Sequence, residues 1–211
     1  MKAFKHLSSF LPGLWLVAVA VLLPVSPAAG HSIGFLGGVN LATLSVDPED
    51  GAEYKNRTGF AAGGVLDLTL DENVSVQIEP MFVQKGSDVE ILGGQGTFKL
   101  DYFALPALVK FAFGHGSARP FLMAGPEIAF KLNAKIESEA GDEVNIDEDV
   151  KGTDFGAGLG GGVDFDAGGN LVFVEGRYTT GFTDINDSGS GEEVKTRGFQ
   201  ILGGVTFPIG D

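Results

Sequence analysis

The sequence predicts an all-β protein, an eight-stranded antiparallel up-and-down transmembrane β-barrel. Three observations lead to this prediction. Apolar residues alternate strictly through segments of about 11 residues, the length that a tilted strand needs to cross a bilayer. The connections between these segments alternate between long and short. Beyond the N-terminal leader, no apolar run is long enough for a membrane helix, so a closed barrel is the way left to span a membrane.

The clearest pair of strands lies between Phe98 and Leu132, on either side of the turn 114–117. Successive side chains of a strand point to opposite faces, so each run has two faces. One face is wholly apolar, and the other carries Lys110 in the first run and Glu127 and Lys131 in the second. The apolar faces hold Phe103, Leu105, Ala107, Val109, Phe111 and Phe113, then Leu122, Ala124, Pro126, Ile128, Phe130 and Leu132.

The same alternation places the eight strands at residues 32–44, 58–70, 74–85, 98–113, 118–132, 153–165, 171–182 and 196–207. Pro80, Pro106 and Pro126 fall inside predicted strands. Because proline cannot donate a ladder hydrogen bond, we expect a local bulge at each.

The predicted connections are 12 to 19 residues long at 45–57, 86–97, 134–152 and 183–195, and 3 to 5 residues long at 71–73, 114–117 and 166–170. This regular alternation is typical of outer-membrane barrels, which have long extracellular loops and short periplasmic turns. An even number of strands returns both chain ends to the periplasmic side.

Residues 1–30 are predicted to be a secretory signal peptide, and 31–211 the barrel domain. Lys2 and Lys5 precede an apolar core at 11–23, which is short for a membrane anchor. Small residues then predict cleavage after Gly30, with Ala28 as the alternative. The mature chain would carry 12 basic and 28 acidic residues, a net charge of -16, which excludes nucleic acid as a partner. The expected location is the cell outer membrane of a Gram-negative-type bacterium.

Seven charged residues fall on the inward face of the predicted strands. The interior of an eight-stranded barrel is just wide enough for side chains to fill it, and buried charges must be paired. We therefore predict an interior network that plugs the barrel and fixes strand register, most sharply as a Glu79–Lys110–Glu127 group on neighbouring strands. A narrow or gated pore is the alternative. The seven residues are Glu79, Lys85, Lys110, Glu127, Lys131, Glu175 and Arg177.

The sequence predicts no catalytic residue, no cofactor and no metal site. A hydrolase of the Ser/His type needs a base beside its nucleophile, and the mature chain has only His31 and His115, at the predicted periplasmic end. The acidic loop 134–152 lacks the glycine and ligand spacing of a calcium-binding loop. The glycines at 156–162 lie within an alternating strand, where they make room for large inward side chains, and do not resemble a nucleotide-binding loop.

Several segments together resemble the PorT-like outer-membrane β-barrel family. They are GVN (38–40), VQIEPMFVQKG (76–86), LDYFALPALVKF (100–111), RPFLMAGP (119–126), DFGAGLGGGVDF (154–165) and VEGRYTTGFTDI (174–185). The resemblance covers essentially the whole mature chain and implies the fold and the location, but no established activity. It departs at Ala104, where it implies an acidic residue.

We therefore expect a small outer-membrane barrel with a structural, adhesive or surface-interaction role. It would be a monomer in contact with outer-membrane lipid, and its extracellular partner is not identified by the sequence. A soluble periplasmic lipocalin-like barrel is the other alternative. That protein would need an apolar interior and a charged exterior, the reverse of the faces that hold Glu79, Lys110, Glu127 and Arg177.

Overall fold

The computed structural model describes residues 30–47, 53–91, 94–189 and 191–209. The predicted signal peptide therefore lies outside the described residues, except for Gly30. The strands are β1 (His31–Asp47), β2 (Glu53–Asp71), β3 (Val74–Ile78), β4 (Met81–Ile91), β5 (Gly94–Ala112), β6 (Ala118–Ser138), β7 (Glu143–Asn145), β8 (Thr153–Asp166), β9 (Leu171–Gly181) and β10 (Glu193–Ile209). One 3-10 turn spans Asp147–Asp149. No helix within the described ranges is long and apolar enough to span a membrane.

The strands close into a ring. β1 pairs with β2 on one side and with β10 on the other, and every pairing around the ring is antiparallel. β3 and β4 together occupy one position, and β7 only extends the sheet beyond β6. The order β1, β2, β3/β4, β5, β6, β8, β9, β10 confirms the predicted eight-stranded up-and-down barrel.

The two ends of the barrel differ in their connections. At the turn end, His31 pairs with Ile209, and the short connections 72–73, 113–117 and 167–170 lie there. The loop end holds the long connections, and all four are shorter than predicted, most clearly those predicted at 45–57 and 86–97. Strand structure reaches Asp47 and resumes at Glu53, and β4 and β5 run to Ile91 and from Gly94. The alternation of apolar residues ends before the backbone ladder does, because these extensions carry polar side chains.

None of the three expected bulges is present, because the register of β3 and β4 against β2 and against β5 is unchanged across Pro80. The wall strand is interrupted between Ile78 and Met81, and the carbonyl oxygen of Pro80 accepts from the Gly64 N–H at 3.0 Å. At Pro106 and Pro126 the expectation is wrong, since β5 and β6 keep their register past both residues. Pro106 lies opposite Glu79 and accepts from the Glu79 N–H at 3.1 Å, so its missing N–H costs the return bond of this pair without shifting the register.

Register shifts occur elsewhere, one at the turn end between Thr69 and Asp71 of β2 and two near the loop end. The two near the loop end lie in β2 between Asn56 and Ala61 and in β6, where Leu132 is the extra residue. An extra residue in one strand reverses which face the following side chains occupy. Regular alternation from Glu127 and Lys131 would point Asn133 inward. Because Leu132 is an extra residue, Asn133 instead pairs with Asp101, and the next residue, Ala134, is the one that is fully buried.

Large apolar side chains cover the outside of the wall. The most exposed include Phe35 (70%), Leu159 (65%) and Phe182 (63%), and all three lie on the predicted outward face. The buried side chains include many polar ones, which is the reverse of a soluble protein. The buried polar and charged residues are Asn40, Gln77, Glu79, Lys85, Ser87, Lys110, Glu127, Asp154, Asp164, Glu175, Arg177, Thr179, Thr196, Gln200 and Thr206.

Candidate functional site

The centre of the barrel is occupied by the guanidinium group of Arg177. Its Nη1 donates to Glu79 Oε2 at 2.8 Å and its Nη2 to Glu79 Oε1 at 2.9 Å, and Nη2 also contacts Glu175 Oε1. All three side chains have 0% exposure. Arg177 and Glu175 lie two residues apart on β9 and so share its inward face. Such a two-pronged arginine–carboxylate pair is among the strongest polar contacts in proteins.

This central cluster spans the barrel. Glu79 lies between β3 and β4, and β9 occupies the opposite position in the ring, with three strands on either side. The hydrogen bonds of Arg177 to Glu79 therefore join opposite walls across the lumen.

A second cluster lies towards the loop end. The ammonium group of Lys85 is 2.9 Å from Glu127 Oε1 and 3.5 Å from Asp154 Oδ2, and it lies 5.2 Å from the ring centre of Tyr102. The hydroxyl of Thr196 donates to Asp154 Oδ2 at 2.7 Å. Side chains from β4, β6, β8 and β10 thus meet here. Both acids share one lysine, and a neutral hydroxyl supplies the remaining hydrogen bond.

A third cluster lies towards the turn end. Lys110 Nζ donates to Asp164 Oδ1 at 2.8 Å and sits 4.0 Å from the ring centre of Phe121, a cation–π contact. Nearby, Ser75 donates to Asp67 Oδ2 at 3.2 Å. Lys110, Asp164 and Asp67 line a polar cavity of about 170 Å³ at the turn end.

Lys131 takes no part in these clusters. Its ammonium group donates to the backbone oxygens of Asp147 and Val150 and lies 3.9 Å from Asp147 Oδ1. It therefore ties the connection between β6 and β8 to the barrel mouth. The other six predicted residues are buried inside the barrel.

The predicted Glu79–Lys110–Glu127 group is wrong. Glu79 binds Arg177 from the opposite wall, while Lys110 binds Asp164 on β8. Adjacency of two strands is a poor guide to side-chain contacts here, because inward side chains in a narrow barrel also meet across the lumen. Sequence reasoning left Asp154 and Asp164 out of the network. The alternation of β8 could have identified both residues, because they lie on its inward face, as the predicted residues do on the other strands.

Glycines on β8 make room for the large side chains of the interior. A Cβ atom at Gly158 would lie 3.3 Å from Cδ of Arg177, and one at Gly162 would lie 2.7 Å from Cζ of Phe121. The second distance is a steric clash. These two positions confirm that the glycine-rich segment accommodates bulky neighbours on adjacent strands.

The loop end carries its own exposed ion pairs. Glu143 on β7 accepts from Lys135 Nζ at 2.9 Å, and its other oxygen is 3.2 Å from Lys99 Nζ. The hydrogen bond from Lys135, followed by that from Lys99, lowers the pKa of Glu143 below its ordinary value. Over the described part of the chain, no group of three or more His, Cys, Asp or Glu side chains is placed to hold a metal ion.

The family model described as outer membrane protein beta-barrel domain matches residues 27–187. That segment is well over half of the chain and includes every strand up to β9. The chain belongs to this family. It is accordingly a protein of the outer membrane, where an apolar exterior and a polar interior are the expected arrangement.

The chain is similar to several solved outer-membrane protein structures at low sequence identity. Neisserial surface protein A matches with a TM-score of 0.53 at 16% identity, over 85% of this chain and 99% of its own. Ail, the attachment invasion locus protein of Yersinia pestis, matches with a TM-score of 0.45 at 16% identity, over 85% and 99%. The outer membrane protease OmpT of Escherichia coli matches with 0.48 at 11% identity, over 89% and 99%. No curated protein sequence matches the chain.

Among these similar structures, OmpT is described as a protease and PagL as an outer membrane enzyme. At these identities the likeness to solved structures carries no information about the activity of this chain. The absence of an enzyme site remains a prediction for this chain. His31 begins β1 and His115 is exposed in a turn, so both lie at the turn end.

Proposed function

We propose that this protein is a sealed barrel with a structural, adhesive or surface-interaction role, whose interior ion pairs act as a plug. The observation that carries the proposal is the fully buried Arg177–Glu79 pair, which joins opposite walls of the ring. An open channel needs a continuous polar path of water, and a side chain bridge across the lumen blocks that path. Eight-stranded barrels have little interior space beyond their side chains.

The three clusters support the plug because they follow one another along the axis. Lys110 with Asp164 lies towards the turn end, Arg177 is central, and Lys85 with Glu127 lies towards the loop end. Each positive group is held by a carboxylate of a different strand. Outside, the apolar side chains would contact outer-membrane lipid, and a single chain closes its own sheet, so the working state would be a monomer. The resemblance to the PorT-like branch belongs to this proposal and adds no activity to it.

A narrow or gated pore is the second candidate. The polar cavity of about 170 Å³ at the turn end favours it, because the cavity reaches inward as far as Lys110 and Asp164. In that case the Arg177–Glu79 bridge would have to open for a solute to pass.

Single-channel recordings on the purified protein in planar lipid bilayers separate the two candidates. The plug predicts no resolved conductance for the wild type and small, steady openings for the triple variant Glu79→Ala/Glu175→Gln/Arg177→Ala, which removes the bridge and both carboxylates that Arg177 binds. A wild-type channel whose conductance changes when Lys110 or Lys85 is substituted would overturn the plug in favour of the pore.

Surface display is tested with single cysteines, since the chain has no native cysteine. In intact cells, a membrane-impermeant maleimide should label Ala140→Cys, in the exposed connection at the loop end. It should not label the matched variant His115→Cys, which is equally exposed but lies at the turn end. Labelling of His115→Cys alone would reverse the orientation and contradict a surface role for the loops.

A further inference from the structure

The interior changes character at the loop end, where a pocket of about 350 Å³ opens inside the barrel mouth. Ten of its fourteen lining residues are apolar or aromatic. From the wall come Leu44, Leu100 and Ile136, and from the connections come Ile146, Val150 and Ile185. We call this space the mouth pocket. Its volume lies in the range of sites that bind small organic molecules, which are typically about 300–1,000 Å³.

The two register shifts near the loop end build the apolar wall of the mouth pocket. Leu132 is the extra residue of β6, and its insertion turns Ala134 and Ile136 inward. There they face Leu100 and Phe98 across the β5–β6 ladder. The shift in β2 does the same for Tyr54, which pairs with Val89 and packs against the core. With regular alternation through β6, Asn133 and Lys135 would have pointed into this space. The bulges thus replace polar side chains with apolar ones at this level.

The two long connections form a defined rim over the mouth pocket. Lys151 N–H donates to the Ile185 carbonyl oxygen at 2.8 Å, and Asp187 N–H donates to that of Asp149 at 2.8 Å. The side chain of Lys151 binds Asp184 Oδ2 at 2.8 Å and fixes the same contact. Lys131 binds the same β6–β8 connection from the barrel wall, and together these interactions hold the apolar side chains in place before any ligand arrives.

The charge of the mouth pocket limits its ligand. The charged residues among its lining are Asp149 and Glu192, and both are acidic. Lys131 and Lys151 are already bound to oxygens of the connections. Three further lysines stand beside lining residues in the sequence, and each is paired with an acidic residue: Lys99 with Glu137, Lys135 with Glu143 and Lys195 with Glu193. An anionic ligand would bring its charge next to carboxylates with no cation to pair it, which is unfavourable in a partly buried site.

We infer that the mouth pocket is a binding site for a small hydrophobic molecule that carries no negative charge. The apolar lining supplies the driving force, at roughly 25 cal/mol per Å² of apolar area removed from water. The acidic rim accepts a neutral or cationic polar group and disfavours a fatty acid or a phosphate-bearing lipid. This site goes beyond the proposed surface role and does not depend on whether the barrel conducts.

The test is a methyl NMR titration of the purified full-length mature protein, labelled at the Ile δ1 positions. Ile136, Ile146 and Ile185 report on the mouth pocket, whereas Ile33 and Ile201 lie on the outer wall and report partitioning into the detergent. The probes are 1-naphthalenemethanol, 1-naphthylmethylammonium and 1-naphthoate, which share one ring system and differ in charge. We expect saturable shifts at the three pocket methyls with the first two probes, and binding of 1-naphthoate about tenfold weaker.

A matched pair of variants in one connection provides the control. Ile146→Trp fills the pocket and should abolish the saturable shifts at Ile136 and Ile185, whereas Ala140→Trp, at an exposed position of the same connection that does not line the pocket, should leave them unchanged. Heat-modifiable gel migration verifies that both variants fold. Equal binding by the two variants, or tighter binding of 1-naphthoate than of the neutral probe, would overturn the inference. Shifts that never saturate at any pocket methyl would do the same.

Discussion

The barrel interior has two regions built on the same strands but with opposite chemistry. From the turn end to the level of Lys85, inward side chains form ion pairs between strands that are distant in the ring. Beyond that level, the mouth pocket is apolar, and Leu100 lies directly opposite Lys85 at the boundary. The first region follows the regular alternation of the sequence, and the second depends on two register shifts that break it.

The two regions therefore have separate structural roles. Ion pairs between distant strands are satisfied only when the ring closes in one register, so the polar region favours a single closed barrel. The mouth pocket lies at the loop end, where the long connections join the strands. Its apolar side chains come from the strands and from these connections. Substitutions should therefore act on stability in the first region and on ligand binding in the second.

The largest effect is expected from Arg177→Met. It leaves Glu79 and Glu175 buried without a cation and should lower the free energy of unfolding by about 3–5 kcal/mol. Denaturant titration followed by heat-modifiable gel migration measures this change. The exposed pair of Lys55 with Glu90 supplies the control, since Lys55→Met should leave the transition nearly in place. An equal decrease in the free energy of unfolding for both variants would contradict the claim that the buried pair contributes more to stability than the exposed pair.

A smaller loss is expected from Lys110→Met. This variant leaves Asp164 without its partner, but the site borders the turn-end cavity, where water reaches the carboxylate. We expect a decrease of about 1–3 kcal/mol in the same denaturant titration. Restoration by Lys110→Met/Asp164→Asn, which removes both charges, would support the pairing, and a further loss in the double variant would contradict it.

The register shift in β6, where Leu132 is the extra residue, is tested by thiol labelling of single-cysteine variants. Asn133→Cys should react about ten times faster with a small maleimide than Ala134→Cys, because Ala134 is fully buried and Asn133 is not. Regular alternation through β6 predicts the reverse order. The measurement therefore decides directly whether the boundary between the two regions lies where the structure places it.

The smallest effect concerns pH at the loop end. Since the pKa of Glu143 is lowered in the folded protein, the stabilisation from its bonds to Lys135 and Lys99 is present above the ordinary carboxyl pKa. It is lost as the pH falls through the lowered value, below about pH 4. Side-chain NMR should show the Glu143 pKa rising towards its ordinary value in Lys135→Met. An unchanged titration would show that the pair does not form in solution.

The sequence was sufficient to predict the fold, because the alternation of side chains reports directly which face of a strand meets the apolar surroundings. It also placed Glu79, Lys85, Lys110, Glu127, Glu175 and Arg177 on the inward face, where the structure has them. Parity is a local property, readable over a few residues. The extent of the strands beyond the apolar belt was underestimated because their polar extensions, such as those of β4 and β5, have no such signal.

The partners of these charges depend on properties that are not local. Arg177 reaches Glu79 because β9 lies opposite the β3/β4 wall, which follows from closure of the ring and not from strand order along the chain. Lys131 reaches backbone oxygens of a connection whose conformation no pattern in the sequence specified. The register shift at Leu132 carries no glycine or proline that could have predicted it, whereas the shift between Asn56 and Ala61 includes Gly59 and lies opposite Gly86 of β4, which has a positive φ of 121°.

The central claim is that ion pairs across the lumen hold the closed barrel in one register. A double-mutant cycle on Glu79 and Arg177, with Glu79→Gln and Arg177→Met singly and together, tests it most directly through denaturant unfolding in one detergent. We predict a coupling energy at the upper end of the usual range, about 2–3 kcal/mol, with the double variant more stable than Arg177→Met alone. A coupling near zero, with additive losses, would contradict the claim.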